Sequence, residues 1–120
     1  MAYTAVNVTK ISAAGYRVDN VGTAGVAGGA GTGHKFSNDG HVFVHVHNTS
    51  TNAPNAVFLA SGTFKGEALT VANETVAMAS GVDKICGPFN PDLFNDADGN
   101  VNIYYTGSNE DELKINPLRL

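Results

Sequence analysis

The chain has 120 residues, 14 of them glycine, and its seven Lys and Arg against eleven Asp and Glu give a net charge of −4. That length suits one domain, and the basic residues are scattered singly rather than in the stripe that neutralises phosphates, which argues against a DNA or RNA role. A lone cysteine, Cys86, excludes an intramolecular disulfide and a multi-cysteine metal knuckle, and no apolar run approaches the roughly 20 residues of a membrane-spanning helix.

Residues 3–11, YTAVNVTKI, alternate Val6 and Val8 with Asn7 and Thr9 and predict a first strand. The ten residues that open the chain, MAYTAVNVTK, lack the basic and apolar regions of a secretion signal, so synthesis and retention on the cytosolic side are expected. Residues 22–33, GTAGVAGGAGTG, hold six glycines in twelve positions and nothing larger than valine. Such a stretch buries too little area to offset its ordering entropy, which predicts either a disordered linker or an arm that becomes ordered against another subunit. The expected division is residues 1–34 as N-terminal strand and Gly-rich arm, and residues 35–120 as a β-sandwich domain.

From Lys35 onward short apolar runs recur between turn signals. HVFVHVH (41–47), AVFLASGTF (56–64), LTVA (69–72), TVAMA (75–79), KICGPF (84–89), VNIYYTG (101–107) and ELKINPLRL (112–120) read as strands. SGVD (80–83) reads as a hairpin turn, NPDLFNDADGN (90–100) as a long connection with one helical turn at Pro91–Phe94, and Pro117 as an interruption of the last strand. The expected class is all-β, a jelly-roll or Greek-key sandwich of about eight antiparallel strands.

Within the strand at 41–47, Val42, Val44 and Val46 share one face and Phe43 shares the other with His41, His45 and His47. Valines bury more cheaply than imidazoles, so the histidines are expected on a solvent or subunit face. A cupin-like metal site built on His45 and His47 would need a Glu a few residues on, but Asn48, Thr49, Ser50, Thr51 and Asn52 follow, and only His34 and His41 remain as further imidazoles. Cys86, between Ile85 and Gly87, reads as a small core residue without a local base. The turn from Asp96 to Asn102 offers alternating oxygens, yet the twelfth position of a helix-flanked calcium loop falls on Gly107 rather than Glu. The Gly-rich stretch lacks the lysine of a phosphate cradle. No catalytic, cofactor-binding or metal residue is therefore assigned, and no enzyme activity is expected.

From Phe36 to Leu120 the order of features is distinctive: N-D-G before an alternating strand (Asn38–Gly40), G-P-F-x-P-x-x-F-N-D (Gly87–Asp96), D-G-x-V-N-x-x-Y (Asp98–Tyr105) and a terminal L-R-L (Leu118–Leu120). This order resembles small structural proteins encoded in the head-gene regions of tailed bacteriophages, some of them capsid decoration or cement proteins, over about seventy per cent of the chain. The resemblance implies a compact β domain on the outer capsid surface of a virion, a major capsid protein as partner, a homo-oligomer with a trimer favoured, and an arm that reinforces lattice contacts. Two other readings stay open at this point. One is a minimal cupin-like metalloprotein using the His45/His47 pair. The other is a carbohydrate-binding sandwich of a tail fibre, which would need an exposed aromatic platform from Tyr3, Tyr16, Tyr104 and Tyr105, since the chain has no Trp.

Overall fold

The computed structural model describes residues 3–15, 22–60, 63–64, 67–68 and 73–120; the expected strand at 69–72 and Tyr16 lie outside them. The elements in chain order are β1 (Tyr3–Ala5), β2 (Thr9–Lys10), β3 (Thr23–Ala24), β4 (Gly33–Ser37), β5 (Val42–Asn48), β6 (Asn55–Phe58), β7 (Thr63–Phe64), β8 (Glu67–Ala68), β9 (Glu74–Ala77), β10 (Asp83–Cys86), α1 (Pro91–Phe94), β11 (Asn100–Thr106), a 3-10 turn (Glu110–Glu112) and β12 (Leu113–Arg119).

They form an all-β sandwich of two five-stranded sheets. One runs β1-β4-β11-β6-β9; the other runs β10-β5-β12-β2, with β3 also pairing β12, and β7 and β8 make a separate ribbon. Both sheets are mixed rather than purely antiparallel, because β1 pairs parallel with β4 and β2 pairs parallel with β12. From β4 to β12, leaving the ribbon aside, every connection but β6 to β9 passes from one sheet to the other. SGVD is accordingly a corner between sheets and not a hairpin turn, closed by Val82 N donating to Ala79 O at 3.1 Å. The strand at the end of the chain continues through Pro117 to Arg119 against β5. On its other side Pro117 falls between the stretch paired with β3 and the stretch paired with β2, a gap where a missing N–H is tolerated.

Alternation decides the core. Val42, Val44 and Val46 of β5, Val101, Ile103 and Tyr105 of β11, and Leu113 and Ile115 of β12 point inward and are buried, joined by Phe36, Phe58, Met78 and Phe89. Each such side chain contributes about 1.5–3 kcal/mol of transfer free energy. Phe89 fills one end, 4.6 Å from Phe58, 5.9 Å from Phe36 and 5.5 Å from Phe94 between ring centroids.

The segment read from the sequence as an arm is paired within the chain wherever it is described. Residues 3–11 leave the first sheet at Ala5 and join the second at Thr9, so Val6–Val8 strap across one open side of the sandwich, and Val8 packs against the core. Val6 N donates to Lys35 O at 2.8 Å and Ile11 N to Arg119 O at 2.7 Å. Further on, Gly25 N donates to Leu113 O at 2.8 Å. A side-chain carbon at Gly25 would collide with Glu110 O, and one at Gly33 with Ile103 O. Here the glycines are what let backbone approach backbone, so the composition that suggests looseness produces close packing instead.

Candidate functional site

The four histidines do not converge. His41 stands at the start of β5 with its side chain 82% exposed, 3.5 Å from Asp39. His34 lies inside the sandwich on β4, 5% exposed, where its Nδ1 shares a 2.9 Å hydrogen bond with the Tyr105 hydroxyl and its ring meets that of Tyr105 edge-on at 5.7 Å. His47 is on the outer face of β5 as expected, but His45 on the same face is buried, with only 2% of its surface exposed, which corrects its expected exposure. The cause is non-local. Because β5 lies between β10 and β12, Ile85 and Asn116 stand directly opposite His45 on either side, and the His47 ring stacks beside it at 6.4 Å and 18°.

The same register brings in a residue that reading along the strand does not supply. Asp83 of β10 stands opposite His47, accepts a hydrogen bond at Oδ1 from His47 Nδ1, and holds that same oxygen 3.5 Å from His45 Nε2. Sequence reasoning looked for a carboxylate just after His47; it comes instead from a strand 36 residues away, and only the cross-strand register reveals it. Each of the two rings thus presents one nitrogen to the same carboxylate oxygen. Among the described residues no group of three or more His, Cys, Asp or Glu is arranged to hold a metal ion. What the trio does is clip the edge strand β10 to β5, an interaction of about 0–1 kcal/mol for a pair as exposed as His47 and Asp83.

Cys86 is half-buried, beside a cleft of about 310 Å³ with Glu74, Val76, Pro88, Phe89 and Phe94. Burial raises its thiol above the ordinary value, which keeps it protonated near neutrality and unlike an activated nucleophile. Asp96 is committed to its own turn. Its Oδ1 accepts from Asp98 N at 2.9 Å and Asn100 N at 3.0 Å, and its Oδ2 from Asn102 Nδ2 at 3.1 Å. Both carboxylate oxygens face N–H donors, so the turn is an Asx-type staple rather than an open calcium loop. The described tyrosines do not gather into a platform: Tyr105 is wholly buried, Tyr104 is half-buried, and the Tyr3 hydroxyl accepts from Gly31 N at 2.7 Å.

The residues that carry the family resemblance meet at one end of the molecule. Asn38 of the N-D-G turn is buried, donates through Nδ2 to Phe89 O at 3.0 Å and Asn95 Oδ1 at 2.7 Å, and accepts at Oδ1 from Gly40 N at 3.0 Å. Asn95 returns a bond to Asn38 O at 2.8 Å, while Asn38 N donates to Gly99 O at 3.1 Å. Three features far apart in sequence therefore interlock around Phe89. Comparison with family models, with curated proteins and with solved structures finds no match.

Proposed function

We propose that the chain is a structural virion protein, a capsid decoration or cement subunit that binds the lattice of a major capsid protein and stabilises a phage head, acting as a homo-oligomer with a trimer favoured. The observation that carries this reading is the interlocked end: N-D-G, G-P-F-x-P-x-x-F-N-D and D-G-x-V-N-x-x-Y, the features shared with head-region phage proteins, hydrogen-bond to one another through Asn38, Phe89, Asn95 and Gly99. Their order in the sequence is thus one structural signature rather than several ordinary turns. The half-buried, high-pKa thiol and the self-satisfied Asp96 fit a protein that works by binding. Its action is mass action: a subunit that binds only the assembled lattice stabilises it by its binding free energy.

The paired strap alters how that binding is drawn. Since β1 and β2 already pair with β4 and β12, and residues 23–25 with β12, lattice contact falls first to the preformed sandwich surface rather than to a free arm. The test is co-sedimentation of the purified full chain with expanded empty shells, followed by imaging of the decorated particles. Saturable binding at regular lattice positions, with a raised shell-disruption temperature, is the expected result. Recovery of the protein only with tails or fibres in fractionated particles would transfer it to the adhesion reading.

A further inference from the structure

His34 is the one buried histidine bonded into the core. It faces inward opposite Ile103, bonded to Tyr105, and directly above it β1 runs along β4 with Thr4 opposite His34. Between strap and sandwich lies a cleft of about 440 Å³, lined on the strap side by Thr4–Asn7 and Thr9 and on the sandwich side by His34, Asn116 and Pro117. Among the described residues that line it there is no carboxylate, and His34 is the only ionisable group.

The charged and titratable groups on the surrounding elements are few. Among the described residues β1 contributes Tyr3, β2 contributes Lys10, β11 contributes Tyr104 and Tyr105, β12 contributes Lys114 and Arg119, and β4 itself adds Lys35. Asp39, on the other side of the strap, is 3.5 Å from Arg119. Among the described residues an imidazolium at His34 would consequently have a phenol beside it and no countercharge. A charge so placed needs water, and its route to water is the cleft under the strap. That strap is held by only a three-residue and a two-residue parallel ladder, with β2 exposed.

We propose that His34 is an acid-operated latch: protonation of its imidazole releases residues 3–11 from β4 and β12 while the sandwich stays folded. Tyr105 Oη accepts one imidazolium N–H, the second turns toward the cleft, and entering water displaces the strap rather than the core strands. Burial holds His34 below its ordinary 6.5, so the latch is closed at neutrality and opens on the acid side. The inference is independent of the capsid reading and survives if that reading fails.

The test is hydrogen exchange by mass spectrometry on the full chain from about pH 7.5 to about pH 5, corrected for intrinsic exchange, following peptides that cover residues 3–11 and β11. The expected result is that strap protection falls toward about tenfold per pH unit below the His34 titration, while β11 is unchanged. His34→Gln, which keeps a hydrogen bond to Tyr105 but cannot ionise, should abolish the fall, and Asp39→Asn should preserve it. Strap protection independent of pH, an equal loss in His34→Gln, or β11 opening together with the strap would each overturn the latch. Should His34→Gln fold poorly, the imidazole NMR titration of wild-type His34 decides: its midpoint must coincide with strap opening, and a mismatch counts against the proposal.

Discussion

Single side chains close this sandwich at both ends, and the most committed of them is Asn48. It is wholly buried, donates through Nδ2 to Asn52 O at 2.8 Å, Met78 O at 2.9 Å and Ala79 O at 3.0 Å, and accepts at Oδ1 from Ser50 N and Ser50 Oγ. It ties the end of β5 to the corner between β9 and β10. Asn48→Ala strands several buried partners at once, so a loss of about 2–3 kcal/mol is expected, read as a lower urea midpoint at unchanged slope. The valine stripe of β5 was legible because alternation is a local property. The burial of His45 and the role of Asn48 were not, because both depend on what stands beside β5 in space. An asparagine that ends an alternating strand reads as turn chemistry until its partners are known.

At the level of elements, glycine and lysine work against their usual reading. Gly33→Ala would drive a methyl into Ile103 O at the point where β4 meets β11, so we expect a largely insoluble product. Gly29→Ala, with open space around it but a φ of +71°, should cost only about 1–2 kcal/mol. Comparing soluble yield and melting temperature of the two separates close approach from backbone freedom. The edges are guarded differently. On the side covered by the strap, β4 and β12 are paired with β1 and β2, whereas β9 and β10 end their sheets on the other. Lys84 stands opposite core-facing Val46, yet its Nζ reaches over to donate to Ala77 O at 2.9 Å, a cation set across the gap where another strand would insert. Lys84→Val should therefore raise self-association, visible as a concentration-dependent sedimentation coefficient. A monomeric, unchanged variant would show that the edge is protected by something else. The strands themselves were legible from period and turn residues; the strap was not, since a two- or three-residue parallel pairing leaves almost no periodic trace, and glycine content is silent on whether space is empty or filled by backbone.

Over the whole molecule, acid should act in stages. Burial lowers His34 from 6.5, so its contribution to stability is complete above pH 6.5 and is lost as pH falls through the lowered value. Asp96 belongs to a second stage: burial alone would raise it, but the N–H donors of Asn100, Asn102 and Asp98 outweigh that and leave it below 3.8. Its share is intact above pH 3.8 and disappears below. Melting temperature against pH should show two declines, and His34→Gln should flatten only the first. The fold class was legible in composition and in the cadence of runs and turns, whereas the distribution of strands between two sheets was not, because every local signal is satisfied by a hairpin as well as by a corner. That distribution has a consequence for synthesis. β12 is the strand that joins β5 to β2 and β3, so during translation the second sheet has no centre until residues 113–119 emerge, and the edge of β5 from Val42 to Asn48 waits unpaired. Release of a chain lacking residues 113–120 should give no cooperative thermal transition, and nascent chains stalled before that point should bind holdase chaperones, whereas the full chain stalled behind an appended linker of about 40 residues, long enough in extended form to carry residues 113–119 clear of the ribosome, should not.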